Sequence, residues 1–321
     1  MIDKPDDDTR VTVEGAYFGS FTEAIRSDGG DCLFINHNRA VSNDVFLNVT
    51  EDGRNSEMNS NDVLGGSGFH FSKTSTFEAE GVLIFGNKVR PSFSGTYCVQ
   101  LECGLDITIE ANCFDQITTG PGIFIDGQVK YVREIVIAEN WIGRASGAAG
   151  ADYGLFGVGQ IRSITSSMNK YVGFRQAAIN MNGLAGGTLI GFVSSKDRFH
   201  HPDPSVRDIQ LTCAEAVWID GADFAGTAAI VENTGVDGTV TNCDFSKVSN
   251  LTTGILTAGL RYGGQRKGMT LLNKGTTSIP STGTPTPVVT HGLTYTPSAA
   301  DINIVCTNNP TDDPARFVSR T

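Results

Sequence analysis

Apolar residues in this chain fall in short alternating runs, and one run returns as a phrase. "DITIEANCFDQ" begins at Asp106, and "EIVIAENWIGR" repeats its form: Ile107, Ile109, Asn112 and Phe114 are answered by Ile135, Ile137, Asn140 and Ile142. Upstream, "EGVLIFGNKVR" supplies Val82, Ile84, Asn87 and Val89, and "CLFINHNRA" supplies Leu33, Ile35, Asn38 and Ala40. Downstream come Ile164, Ser166, Asn169 and Tyr171, then Phe192, Ser194, Asp197 and Phe199. Two looser copies follow, Val217/Ile219/Phe224 and Val240/Cys243/Phe245. From Asn87 the copies lie 25, 28, 29 and 28 residues apart, then 25 and 21 measured on the aromatic.

A second alternating run sits between each pair of the first. It includes Phe69/Phe71, Val99/Leu101, Ile123/Ile125, Leu155, Ile179/Met181, Ile209/Leu211, Ile230 and Ile255. Alternation over four to six residues, bounded by Gly, Asn, Asp or Ser, predicts half-buried strands. Only "FGSFTEAIRS", Phe18 to Ser27, has the spacing of a short helix.

Two strand types alternating at a combined period of 21 to 32 residues predict a coiled solenoid, because one turn cannot bury its apolar face until others stack on it. The expected fold is all-β, a right-handed parallel β-helix with a small C-terminal β-domain. Inward Ile, Val, Leu and Phe form columns. The recurring Asn forms a hydrogen-bonded ladder at a bend, where it also tolerates left-handed backbone. Asp197 and Cys243 occupy the ladder slot in their turns, Asp197 as a cap. A β-sandwich is the alternative, but sandwiches rarely keep a polar residue at one offset through several strands.

Composition narrows the partners. The 321 residues carry 24 basic against 35 acidic side chains, a net charge of −11, which argues against nucleic acid because phosphate neutralisation needs basic surface. No apolar run has the length of a membrane span, and "MIDKPDDDTR" lacks the regions of a signal peptide. The seven scattered cysteines form no metal-site spacing, so they are read as reduced, small apolar residues of a chain folded in cytosol. Asp6 to Asp8 could hold a structural calcium, but they lack the glycine and spacing of a calcium loop, and no cofactor is expected.

Three segments follow: residues 1–31 as an N-terminal cap, 32–272 as the solenoid, and 273–321 as linker and C-terminal β-domain. The last opens on "NKGTTSIPSTGTPTPVVT", rich in Thr, Ser, Pro and Gly. Its remainder holds His291, Gly292, Leu293, Thr296, Pro297, Ala300, Asp301, Ile302 and "FVS" at Phe317 to Ser319. This pattern resembles the small β-domains that end many bacteriophage tail spike proteins, without the further strand that usually follows. The solenoid independently resembles the pectin-lyase-like β-helix of those spikes. The resemblance implies a homotrimer on the virion tail, folded in the host cytoplasm and joined to other tail proteins. It also implies binding, and often cleavage, of a bacterial surface polysaccharide: capsule, lipopolysaccharide or exopolysaccharide. A secreted bacterial lyase or hydrolase and a non-catalytic fibre are the other readings.

The signatures of polygalacturonases are absent in any matching frame. "VWID" at Val217 to Asp220 resembles the start of a pectate lyase stretch, but Gly221 stands where that stretch has His. Candidate residues therefore come from the register. The outward slot beside the ladder carries Lys88, Cys113, Trp141, Lys170, Arg198 and Asp223 on successive turns. An exposed indole beside cations suits a sugar ring and its carboxylate. Trp141, Lys170, Arg198, Lys196 and Arg175 are thus the substrate-binding candidates. Glu110 and Glu139, on adjacent turns, are the candidate carboxylate pair for hydrolysis, with Asp220 and His200 as further catalytic candidates. The plain alternative has Lys170 and Arg198 pairing with Glu139 and Asp220 across turns, and His200 and His201 as loop residues.

Overall fold

The computed structural model describes residues 10–28, 32–51, 53–72, 79–91, 97–144, 151–183, 189–201, 207–233, 235–248, 250–252 and 260–263. The chain divides into two compact units, 1–268 and 269–321, and every described residue lies in the first. The linker, the tail-spike-like segment and Asp6 to Asp8 lie outside the described residues.

The first unit is a parallel β-solenoid of at least eight turns. All its strand pairs are parallel, gathered into one 20-stranded and one 8-stranded sheet. Each turn supplies a strand before the asparagine corner, a short strand after it and a third strand that leads into the next turn. In Ile123–Ala138 and Tyr153–Ser167 the third strand runs straight into the following one.

The stacking follows the repeated phrase. Ile84, Ile109, Ile137, Ser166, Ser194, Ile219 and Val240 are successive register partners, or neighbours of them, in one inward column. The slot after the ladder stacks Tyr171, Phe199, Phe224 and Phe245, with ring centroids 5.6, 5.5 and 5.0 Å apart. These rings are buried, so the column forms a dry seam along the axis.

The asparagine ladder is continuous from Asn38 to Asp197. Asn38, Asn61, Asn87, Asn112, Asn140 and Asn169 each direct the backbone N–H and side-chain Nδ2 at the Oδ1 of the next. Each Nδ2 beyond the first turn also donates to a carbonyl of the turn before, as Asn140 does to Ile109 at 2.8 Å. Asp197 caps the series, as expected.

Three expectations are corrected. The ladder asparagines are not the left-handed residues; that conformation belongs to the residue before each. Gly15, His37, Ser60, Gly86, Ala111, Glu139, Met168, Lys196, Gly221 and Asn242 form that column, with φ between 54° and 66°. The bend thus frees the asparagine side chain to point inward and bond along the axis. Second, Phe18 to Ser27 is not helical but holds strands Tyr17–Gly19 and Glu23–Asp28. Their parallel register on Arg39–Val41 and Val45–Glu51 adds them to the solenoid's ladders, which outweighs a weak three-to-four spacing. Third, one turn escaped the phrase: Met58, Asn61 and Val63 are a full copy in space. Ser56 fills its first apolar slot and accepts the Leu33 N–H at 3.1 Å.

Val11–Glu14 stacks in parallel register on Leu33–Asn36, so the earliest described strand already follows the solenoid. The six described cysteines are thiols, and burial pushes those of Cys98 and Cys243 upward, the latter to about 11.

Candidate functional site

The outward slot beside the ladder is a straight row. Arg39, Asp62, Lys88, Cys113, Trp141, Lys170 and Arg198 are register partners in turn, and a bridge carries the row to Asp223. Neighbours in a parallel ladder stand about 4.8 Å apart, so Trp141, Lys170 and Arg198 form a compact strip. The left-handed column runs beside it and brings Glu139, Met168 and Lys196 to the same corner.

Together Glu139, Met168, Lys170, Lys196 and Arg198 line a depression of about 410 Å³. Trp141 borders it, 40% exposed, with the Lys170 ammonium 4.4 Å from its ring centre. That contact covers one face of the indole with a cation. The rest of the indole lies over Gly143, where a Cβ would stand 2.8 Å from Nε1. Gly143→Ala is therefore expected to tilt the indole off its strand without unfolding the turn. A severalfold weaker ligand affinity at an unchanged denaturation midpoint is the outcome that checks it.

The electrostatics set this strip apart from its flanks. On one side Arg90 pairs with Asp62 at 2.9 Å, and on the other Lys247 pairs with Asp223 at 3.3 Å. Between them no ion pair joins Lys170, Lys196 or Arg198 to a described carboxylate. The expected cross-turn pairing with Glu139 and Asp220 is not formed. Asp220 instead accepts from Thr241 Oγ1 at 2.7 Å and Asn242 Nδ2 at 2.8 Å. On a chain of net charge −11, three cations thus share a depression with one carboxylate, Glu139, and none of the three is ion-paired to a described carboxylate.

The remaining candidates scatter. Glu110 aligns with Ala138, one position before Glu139, so the two carboxylates occupy different columns on adjacent turns. Asp220 is in Glu110's column with Ala138, Ser167 and Ser195 between them. His200 is exposed at the end of Arg198–His200, whereas His201 turns inward. His201 Nε2 lies 2.8 Å from Asp208 Oδ1, both side chains fully buried, so the adjacent histidines face different surroundings. Asp208 also accepts the N–H groups of Ala225 and Gly226, both at 2.9 Å. Arg175 is exposed on the connection after the Lys170–Val172 strand.

Two features were not singled out from the sequence. Met168 lines the depression from the left-handed column, a position that the phrase does not mark as outward. A polar cluster sits on the third strand of an earlier turn: Glu102 Oε1 lies 3.1 Å from His70 Nε2 and accepts from Gln100 Nε2 at 2.9 Å. The Tyr97 ring stands 5.6 Å from that of His70, and burial pushes its hydroxyl up to about 12. The outward slots of the second phrase were its only signal. Among the described residues no group of three or more His, Cys, Asp or Glu is placed to hold a metal.

Fold and site together define a parallel β-solenoid bearing an aromatic and cationic groove on its outer face. No family model matches the chain, and no curated protein matches it either.

Proposed function

We propose that the groove recognises an anionic surface polysaccharide of bacteria, and that the protein is a spike of the bacteriophage-tail type acting in host attachment. The observation that carries this reading is the strip itself: an exposed indole continued by Lys170, Lys196 and Arg198 with no described counter-ion. An indole offers the apolar face of a pyranose ring a surface, and the cations supply charge-assisted hydrogen bonds to a uronate or similar group. The β-helix architecture supports it, as does the resemblance of the C-terminal residues to spike domains. On this reading the working particle is a homotrimer on the virion tail, in contact with other tail proteins.

Recognition is better supported than cleavage. Hydrolysis needs two carboxylates flanking one bond, and Glu139 is the sole carboxylate among the described lining residues. Depolymerisation would have to draw on Glu110 from the next column, with Asp220 and His200 as the alternatives.

Lys196→Ala and Arg198→Ala are each expected to weaken binding about tenfold or more, the worth of one charge-assisted hydrogen bond of about 1.5–3 kcal/mol. Binding of the intact protein should also fall steeply with salt. Titration of capsule and lipopolysaccharide polymers, with reducing-end and 235 nm absorbance assays alongside, tests both readings. Sugar release would establish a depolymerase; binding without release, a receptor-binding spike. Affinity indifferent to salt and to both substitutions would sink the groove as the recognition site.

A further inference from the structure

Both tryptophans of the chain stand in solvent: Trp141 is 40% and Trp218 51% exposed. Indoles are highly buried on average, so two exposed ones and no others is the informative pattern. Trp218 lies on the strand Val217–Asp220, on the opposite side of the asparagine corner from Trp141. Resting on the reading above, we infer that the recognition site crosses this corner obliquely and ends on Trp218. Its ligand is then an anionic polysaccharide whose acidic residue is held by the cations while sugars on either side stack on the two indoles.

The register draws the path. Trp141, Lys170, Arg198 and Asp223 mark four successive turns. Trp218 belongs to the turn of Asp223, so the two indoles are separated along the axis by three strand spacings, about 14 Å. Trp141 lies two residues after its corner residue Glu139, and Trp218 three residues before its corner residue Gly221. The corner column between them reads Glu139, Met168, Lys196, Gly221. A ligand leaving Trp141 therefore meets Lys170, then Arg198 and Lys196, and then the bare corner at Gly221. There a Cβ would stand 3.3 Å from Lys196 Cγ, so the lysine stem lies against a backbone that carries no side chain. Trp218 is next.

Trp218 is also held in place. Its Nε1 donates to Thr241 Oγ1 at 3.4 Å, and that hydroxyl donates to Asp220 Oδ1 at 2.7 Å. Its register neighbours, Val193 and Thr239, are both small. An oriented indole between low neighbours is a preformed platform, which lowers the ordering cost of binding. Asp220, the nearest carboxylate in sequence, is occupied by Thr241 and Asn242. The surface thus reads aromatic, cation, cation, cation, aromatic.

With two tryptophans in all, intrinsic fluorescence can report each end separately. In the intact protein, Trp218→Phe leaves Trp141 as reporter and Trp141→Phe leaves Trp218. The probe is a hyaluronan oligosaccharide series of rising length, in which uronate alternates with a neutral sugar. Trp141 emission should shift with short and long oligomers alike, and Trp218 emission only with long ones. Trp218→Ala should cancel an affinity gain of about tenfold from short to long, the worth of one aromatic stacking contact. Denaturation midpoints matching the parent confirm that each variant is folded. Trp218 emission that stays fixed at saturation while Trp141 shifts overturns the inference and leaves the recognition groove standing. No binding by the parent protein, with neither indole responding, overturns the groove and the inference together.

Discussion

Asn140→Leu is expected to cost about 5 kcal/mol of stability, more than any groove substitution costs in affinity. Leucine fills a similar volume, so the loss is not a cavity. It arises because Asn140 is 1% exposed and its side chain makes four hydrogen bonds to three neighbours. Its Oδ1 accepts from the Asn112 N–H and Nδ2, both at 2.9 Å, and its Nδ2 donates to the Ile109 carbonyl at 2.8 Å and to Asn169 Oδ1 at 3.0 Å. Leucine leaves those buried groups without this partner, at about 1–3 kcal/mol each. The ladder slot itself has no need of polarity. In the two turns after Asp197 the slot holds Ala222 and Cys243, both buried, and neither extends the amide-to-amide bonding of the asparagines; the Cys243 thiol donates to the Thr241 carbonyl of its own turn at 3.0 Å. Cys243→Ala should accordingly cost about 1 kcal/mol, a small volume loss. Denaturant titration of the two variants checks the contrast; equal losses would show that the ladder contributes packing and not hydrogen bonding. Since turns couple mainly to their neighbours, Asn140→Leu should also accelerate amide exchange in the strands Ile135 and Ile164 belong to before those at either end.

This contrast explains how far the chain could be read from its sequence. A polar residue recurring at one offset is rare in a core, so the asparagines announced both the solenoid and its register. The register in turn put Trp141, Lys170 and Arg198 in one strip. What remained hidden was whatever the phrase did not encode. The Met58 turn was missed because Ser56 stands where the phrase has an apolar residue. Trp218 sits between Val217 and Ile219, and an aromatic in such a run looks like core until the neighbouring strands fix which face it takes. That no described carboxylate pairs with the cations was hidden too. Asp220 and Lys196 are compatible as charges, and only the side-chain geometry shows Asp220 turned to Thr241 and Asn242 instead. The left-handed column was mistaken for the asparagines by one residue. Asparagine is the better known left-handed residue, yet here Ala111, Glu139, Met168 and Lys196 adopt that conformation and the asparagines are kept for bonding.

Asp197→Asn is expected to stabilise the protein by about 2–3 kcal/mol at neutral pH and above, and not in acid. The Asp197 carboxylate is 0% exposed, and burial lifts its pKa from 3.8 to about 6 against the opposing hydrogen bonds of Ser166, Ser194 and Asn169. Because the folded chain holds this proton more tightly than the unfolded one, ionisation favours unfolding. The penalty is full above pH 6, shrinks as pH falls from 6 to 3.8, and is gone below; two pKa units correspond to about 3 kcal/mol. Asparagine keeps the acceptor that serves the Asn169 N–H and Nδ2. Ser194 Oγ, which donates to Asp197 Oδ2 at 2.7 Å, can rotate to accept from the new amide. The surrounding core is already fitted to a polar group here. Ser166 and Ser194 interrupt a column otherwise built of Ile, Met and Val, and Ser166 Oγ also meets Tyr171 Oη at 2.9 Å. Other carboxylates titrate equally in both proteins, so the measurement is the difference between parent and variant. Midpoints compared at pH 7.5 and 4.0 should show a gain at the first and near equality at the second. A gain of the same size at both would mean that the carboxylate's charge is not its source, and a loss at pH 7.5 would mean that the ladder requires an anion at its end.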